Sequence, residues 1–586
     1  MTPHYYTIER NTQIVIALLK SHGIRKIIAS PGATNICFVA SVQIDSFFEV
    51  YSCVDERSAA YMACGLAAES GEPVVISCTG ATSSRNYMPG LTEAYYRKLP
   101  VLAITSSRGE NLIGHLKPQV TDREHLPTDI VMEHVTAPLV TDARTENLCT
   151  INVNKAILAL THKGGGPAHI NLMTLTPTDF SVREIKPVRT ILRYDTGDNL
   201  PTLPDGRIVI FVGSHKPFTN EQTEIIDSFC RKHNAVVLCD HTSGYHGEYR
   251  IQPSLLLGQE SYTGILSKID LLIHIGEISG CYYLAKMKPT QVWRVNEDGE
   301  LRDFFGSLTA VFEMKEEVFF QQYTTTASTN KCGNLRDECN LELEQVYQNI
   351  PELPFSNIWI AKQSAAILPK NSIIHFGILN SLRSWNFFQL DKSIASDCNV
   401  GGFGIDGIMS TIIGASLSQP KKTHYCVLGD LAFFYDMNAL GNRHIQSNIR
   451  ILLINNGLGQ EFRNPSFENN YHFEEDFNTY IAARGHYAQQ SLSLVKHYAE
   501  DLGFEYLTAK SKEDFKENME RFYTSKNTEK PIIFEVFTDS ALETNALQTM
   551  CTILSSNKST VLGKLKETIK KSIPEAKRQA IRTLLE

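Results

Sequence analysis

Apolar positions along the chain alternate between two rhythms. From residue 13 to 23, Ile14, Ile16, Ala17, Leu18 and Leu19 fit one face of a helix, and 25–30 (RKIIAS) reads as a short buried strand running into Pro31-Gly32. Helical spacing returns at 36–42, a strand at 48–53, a helix of small residues at 58–69, and strands at 73–79 and 100–106. The alternation recurs twice more, with strands at 207–213 (RIVIFVG), 235–239, 271–276 and 291–295, then at 372–376, 423–428 (THYCVL), 450–454 (RILLI) and 531–536 (PIIFEV). Strand and helix at this spacing predict mostly parallel sheets with helices on both faces. The expected fold class is α/β, with three doubly wound units at 1–185, 196–330 and 345–545. Proline-rich or polar joints lie near 177–204 and 322–340, and a helical tail covers 546–586. Length agrees, since 586 residues at roughly 150 per domain make three or four domains.

Composition narrows the function classes. The 42% apolar and 20% charged fractions are those of an ordinary globular protein and exclude a disordered chain. Lys and Arg number 56 against 64 Asp and Glu, and the resulting net charge of −8 argues against nucleic acid as a partner. No stretch reaches the roughly 18–20 uninterrupted apolar residues of a membrane-spanning helix. The start, MTPHYYTIERNTQ, lacks the layout of a signal peptide, so a cytoplasmic location is expected. Thirteen scattered cysteines form no CxxC pair and no zinc-spaced cluster, and read as small buried hydrophobes. The middle unit carries FVGSHKP after its first strand, which is neither a dinucleotide nor a P-loop fingerprint, so it reads as a spacer.

Chemistry concentrates at 429–462 (GDLAFFYDMNALGNRHIQSNIRILLINNGLGQEF). One apolar strand ends in Gly429-Asp430 and the next in Asn455-Asn456-Gly457, so a parallel sheet sets a carboxylate and a carboxamide side by side at its carboxyl edge. Such hard oxygen ligands suit Mg²⁺ or Ca²⁺ holding a diphosphate. Taken singly, each is also an ordinary strand-end turn. Glu56 stands just after a strand at the start of a helix, where an acid is commonly a dipole-compensating cap.

The Gly-Asp followed by Asn resembles the diphosphate and metal signature of the thiamine-diphosphate enzymes. By that resemblance Asp430, the Asn456 side chain and the Leu458 carbonyl bind the metal, with Gly429, Leu431 and Ala432 beside the diphosphate. Glu56 falls at the position of the glutamate that activates thiamine by sharing a proton with the aminopyrimidine ring. A finer similarity, over about residues 10–545, is to the menaquinone-pathway 2-succinyl-5-enolpyruvyl-6-hydroxy-3-cyclohexene-1-carboxylate synthase family. It rests on SPGATN, DERSAAYMACGLA, CTGATSSRNYMPGLTEA, NSLR, GGFGIDGIMST, and GDL in place of the commoner GDG. The resemblance implies that Ile405 props the cofactor in its bent form, that Ser381, Gly402 and Gly404 line the aminopyrimidine side, and that Gln119 contacts the substrate-derived adduct. Gly32 lets the backbone approach the active site closely. It also implies a homodimer or homotetramer in which Glu56 of one subunit serves cofactor held by another.

The departures bear on substrate. Where that family carries arginines for carboxylate recognition, this chain has Gly32-Ala33-Thr34-Asn35 and Val400, while Arg383 of NSLR stands two positions out of register. Losing two such arginines weakens dicarboxylate binding by several kcal/mol, so a changed substrate is expected. His115 reads as a proton shuttle or a bystander, Arg85 and Arg108 as anion contacts or solvated helix ends, and Tyr435 and Asp436 as packing and capping residues.

The tail from Thr552 is basic and amphipathic; packing on its own or a neighbouring subunit is preferred over contact with an anionic membrane surface. The expected activity is a thiamine-diphosphate- and Mg²⁺-dependent carboligase that decarboxylates a 2-oxo acid and passes the resulting carbanion or enamine to an acceptor. The alternatives are a decarboxylase releasing an aldehyde and an inactive thiamine-fold scaffold.

Overall fold

Ile27, Val75, Leu102 and Ile104 lie on one face of a parallel sheet, and Ile28, Ile76 and Ala103 lie on the other, because successive strand residues point to opposite sides. The computed structural model in which this is seen describes residues 5–123, 125–325, 334–464, 477–526 and 528–555. The chain divides into two units, one made of Met1–Leu200 with Glu297–Met314, the other of Pro201–Asn296 with Lys315–Glu586.

In the first unit the strands are β1 (Lys26–Ala29), β2 (Glu49–Ser52), β3 (Val74–Thr79), β4 (Val101–Ser107), β5 (Glu133–Ala137) and β6 (Ala168–Met173), in the order β2-β1-β3-β4-β6-β5. All pair in parallel, with Ile27 opposite Val50 and Val75, and Val75 opposite Leu102. Helices α1 (Arg10–Ser21) and α2 (Ile36–Val42) cover the face of Ile27, and α3 (Glu56–Ser70) covers the face of Ile28 through Ala59, Ala60, Ala63 and Ala67. Small residues on α3 allow the close helix-to-helix and helix-to-sheet approach that the sequence pattern implies. Two more strands of this unit, β7 (Leu192–Asp195) and β13 (Leu308–Glu313), pair in parallel with each other.

The second unit holds β8 (Ile208–Val212), β9 (Val236–Leu238), β10 (Arg250–Ile251), β11 (Ile269–Ile275) and β12 (Pro289–Asn296), ordered β10-β9-β8-β11-β12. It also holds β14 (Ile373–Phe376), β15 (Ala395–Cys398), β16 (His424–Gly429), β17 (Ile449–Asn455), β18 (Glu505–Ala509) and β19 (Ile532–Phe537), ordered β15-β14-β16-β17-β19-β18. This last sheet repeats the winding of the first strand for strand, and all its pairs are parallel. The three parallel α/β sheets expected from the alternation are present.

The apolar pattern missed β5, β6, β7, β10, β13, β15 and β18, and most of these lack an apolar run, β13 (LTAVFE) being the exception. β15 (ASDC) and β18 (EYLTA) are partly exposed edges of their sheet, β6 (AHINLM) buries His169 and Asn171, and β7 lies inside the stretch 177–204 that reads as a joint. Beyond β8 the backbone N–H groups of Gly213, Ser214 and His215 are taken by the carbonyls of Ile275, Ile278 and Thr242. A phosphate-binding turn would present such groups to its ligand, so the missing fingerprint has a structural counterpart. Twelve described cysteines are unpaired and ten of them are buried. Among the described residues no helix is long and apolar enough to cross a membrane. The last helix among the described residues is Ser540–Cys551, and the tail beyond residue 555 lies outside them.

That last helix carries a pH-dependent tie. Glu543 is buried, and its Oε1 accepts from Asn357 N at 2.9 Å and Thr538 Oγ1 at 2.7 Å, while burial pushes its carboxyl up to about 7. A folded-state value raised above the unfolded one gives stability that is full below about pH 4.5 and lost as pH rises through 7. The loss is on the order of 2–3 kcal/mol. Glu543→Gln should lose that much less than wild type between pH 5 and 8, as read from urea midpoints.

Candidate active site

Both six-stranded sheets reverse their winding between neighbouring strands, β1 and β3 in one and β14 and β16 in the other. Loops leaving such strands diverge at the carboxyl edge and open a crevice, the usual ligand position in α/β folds. The residues singled out from sequence lie on these two edges.

In the second unit β16 and β17 run in register with Gly429 opposite Ile454, so their ends emerge side by side. Asp430 opens the helix Asp430–Asp436 but turns inward and is only 5% exposed. Its Oδ1 accepts from Leu431 N at 2.9 Å and its Oδ2 from Gly457 N, across the edge, at 2.7 Å. Burial, offset in part by these N–H groups and reinforced by nearby Glu535, pushes the carboxyl up to about 7. Gly457 adopts φ +79, and a Cβ there would fall on the Gln489 side chain, so glycine is required for the loop to turn back toward Asp430.

Asn456 and Leu458 flank that glycine and line a polar cavity of about 520 Å³ with Arg463, Ser540 and Thr544. A buried carboxylate held by backbone donors, a carboxamide and a peptide carbonyl are the hard oxygen donors that Mg²⁺ takes. Among the described residues no group of three His, Cys, Asp or Glu could hold a metal. Behind it, buried Glu535 accepts from Asn455 Nδ2 and Tyr506 Oη, each at 2.7 Å, which pins the end of β17.

Across the edge from β16, Ser381 is buried in the helix Asn380–Trp385. That helix is entered through Leu379, held at φ +68 while its N–H donates to Tyr282 Oη at 2.6 Å. A positive φ on leucine is strained and persists only where surrounding contacts enforce it. Gly402 and Gly404 lie in the loop before the helix Ile408–Ser418, and Ile405 packs on the core of Ile408, Met409, Leu428 and Phe433. Phe403 of the same loop stands with its ring 6.4 Å from that of Tyr282. Leu431 would lie 3.4 Å from a Cβ at Gly459, and Ala432 is buried in the same core as Ile408.

Asp436 accepts from Ser410 N at 2.7 Å and Ser410 Oγ at 2.6 Å, and so caps the helix Ile408–Ser418, while Tyr435 is exposed. Val400 is buried. Arg383 is buried too, and its guanidinium is paired in two places with Glu461.

In the first unit Glu56 is the first residue of α3, behind Asp55, whose side chain caps the helix by accepting from Ser58 N at 2.8 Å. Glu56 is half-buried, and its Oε2 accepts from Asn86 Nδ2 at 3.0 Å. Gly32 sits at the crevice between β1 and β3, where a Cβ would come within 1.9 Å of Thr79 Oγ1. Gly32→Ala is therefore expected to destabilise the protein by about 1–3 kcal/mol, and Thr79→Ala in the same chain should recover most of it in thermal melts. Thr34 and Asn35 turn inward, donating to the carbonyls of Ser106 and Ser30, so this loop presents no cation.

Gln119 and His115 are exposed in the loop after β4, Gln119 with φ +63. Arg108 is exposed, and Arg85 donates to the Asp122 carbonyl at 2.5 Å.

Sequence reasoning missed Tyr282, Glu461, Glu535 and Arg123, a buried arginine that donates to the Gly80 carbonyl at 2.8 Å. Only Glu535 left a signal, as an acid inside the apolar strand PIIFEVF.

Comparison with known proteins bears on the same residues. Residues 10–126 match the family described as thiamine pyrophosphate enzyme, N-terminal TPP binding domain, and 387–536 match the corresponding C-terminal TPP binding domain. A 2-succinyl-5-enolpyruvyl-6-hydroxy-3-cyclohexene-1-carboxylate synthase of Bacteroides thetaiotaomicron is 30% identical over 573 residues, covering 93% of this chain and 98% of its own. Proteins of the same name from Phocaeicola vulgatus and Bacteroides fragilis are 28% and 29% identical, each match covering 93% of this chain and 98% of the relative.

Proposed function

The chain belongs to the thiamine pyrophosphate enzymes, and from its similarity to the named synthases we propose that it is a carboligase, decarboxylating a 2-oxo acid and transferring what remains to an acceptor. Its cofactors are thiamine diphosphate and a divalent metal, Mg²⁺. When bound, thiamine diphosphate supplies the electron sink for loss of CO₂. The observation that carries the reading is the inward Asp430 carboxylate, bonded across the strand ends to the loop of Asn456 and Leu458. Asp430, the Asn456 carboxamide and the Leu458 carbonyl would hold the metal, with Gly429, Leu431 and Ala432 beside the diphosphate. Ser381, Gly402 and Gly404 would line the pyrimidine side and Ile405 would support the cofactor from the core it packs on.

Glu56 holds the proton shared with the pyrimidine ring. Asn86 engages its Oε2, which orients the carboxylate and leaves Oε1 to carry that proton. Gln119, on an exposed loop, would contact the substrate. In domain terms 1–185 binds the pyrimidine, 345–545 binds the diphosphate, and 196–330 stands between them in sequence.

The substrate differs from that of the named synthases. Thr34 and Val400 stand where arginines are expected, and the guanidinium of Arg383 is already filled by Glu461. Incubation with ¹³C-labelled pyruvate or 2-oxoglutarate, Mg²⁺ and thiamine diphosphate, with and without acceptor aldehydes and enones, tests the reaction class. A new carbon–carbon bond in the product is expected; free aldehyde regardless of acceptor would mean a simple decarboxylase.

The active form is a homodimer or homotetramer in which Glu56 of one subunit serves the metal site of another. Mixing inactive Glu56→Gln and Asp430→Ala proteins should then restore about a quarter of wild-type activity, since half the dimers are mixed and each carries one intact site. No recovery after proven subunit exchange would place both residues in one chain's site.

A further inference from the structure

Elements that carry the cofactor residues of the second unit meet at one buried ion pair. Arg383, two residues beyond Ser381, is 7% exposed, and Glu461 fills its fork, Nη1 to Oε2 at 2.5 Å and Nη2 to Oε1 at 2.7 Å. The guanidinium lies 4.3 Å from the centre of the Tyr282 ring, which also faces Phe403 of the 402–405 loop and, through its hydroxyl, takes the N–H of Leu379. Glu461 reaches in from the turn Gln460–Arg463, next to Asn456 and Leu458. A guanidinium gripping a carboxylate by two parallel bonds is how proteins read an acid group on a ligand. Here the acid group is the chain's own.

An arginine cannot shed its proton in a protein, and a buried one cannot stay unpaired without heavy cost. Something anionic must therefore fill this fork while it stays buried. We propose that Arg383 is a carboxylate receptor kept occupied by Glu461, and that Glu461 thereby sets specificity, excluding substrates whose end at this corner carries an acid group. The proposal rests on reading these loops as the cofactor site; it adds which substrate chemistry the site refuses. Two apolar residues would pack this corner as well, so a role in packing alone would leave the charges unexplained.

Glu461→Ala opens a carboxylate-sized gap at the guanidinium, and acetate is the probe. The thermal midpoint of the cofactor-free variant should rise with sodium acetate and not with sodium chloride at equal ionic strength, whereas wild type should respond equally to both. In the holoenzyme with Mg²⁺ and thiamine diphosphate, the ratio of kcat/KM for 2-oxoglutarate over pyruvate should rise at least about tenfold over wild type, the scale of one charged hydrogen bond. Arg383→Met combined with Glu461→Leu, which removes both charges, should show neither effect. An unchanged ratio in a Glu461→Ala protein that binds thiamine diphosphate, or an equal acetate response in the double variant, overturns the proposal. Should Glu461→Ala fail to fold, Glu461→Gln decides by the same ratio. Failure of wild type itself to bind thiamine diphosphate would instead sink the cofactor reading, while the acetate response still judges the receptor.

Discussion

Glu56→Gln is expected to lower kcat by about 10²–10⁴-fold, the range for removing a positioned proton-transfer group, while the affinity for thiamine diphosphate with Mg²⁺ changes little. The amide keeps the shape of the carboxylate and can still meet Asn86, but it cannot hold the shared proton. Helix capping does not depend on it, because Asp55 supplies the cap through Ser58 N, so stability should be near that of wild type. Steady-state rates alongside calorimetric cofactor titration separate the two effects. Near-normal turnover would remove Glu56 from its assigned role and return it to the ordinary acid in a helix's first turn.

Asp430→Ala should weaken Mg²⁺-dependent thiamine diphosphate binding by at least about 100-fold, since even groups that merely support metal ligands cost 10–100-fold. The isosteric Asp430→Asn separates affinity from folding. It keeps an oxygen to accept from Gly457 N and removes a charge that burial disfavours, but it sets an amide N–H against Leu431 N in place of the second acceptor, so the two effects offset and the cofactor-free protein should change by less than about 1 kcal/mol in stability while losing metal affinity. Chemical denaturation with and without Mg²⁺ and cofactor reads both. A variant that loses stability and keeps affinity would make Asp430 a structural cap rather than a ligand.

How much of this was legible beforehand follows from what each residue does. Buried central strands announce themselves because both faces must be apolar, so β3, β4, β8, β16, β17 and β19 stand out as runs. Edge strands such as β15 and β18 need no such run, and β7 is hidden in a polar joint. The placement of Asp430, Asn456 and Glu56 was legible because Asp430 and Asn456 follow β16 and β17 directly and Glu56 opens the helix after β2, and a parallel sheet gathers strand ends at one edge. Ser381 and the 402–405 loop came only through motif resemblance.

Contacts made by side chains across long separations left little trace. Nothing in NSLR says that Arg383 is filled by a glutamate 78 residues on, nor that Tyr282 will enforce the strained Leu379. The identical winding of the first and last sheets, β2-β1-β3-β4-β6-β5 and β15-β14-β16-β17-β19-β18, was equally invisible, because order across a sheet is a property of pairing and not of pattern.

The central claim is that Glu56 activates a cofactor held by the loops of Asp430 and Asn456. Its most direct test is the hydrogen–deuterium exchange rate of the thiazolium C2 proton in protein-bound thiamine diphosphate with Mg²⁺, measured by quenched-flow NMR at full occupancy. Exchange should be at least about 100-fold slower in Glu56→Gln than in wild type. Equal rates in the two proteins at equal occupancy would contradict the account.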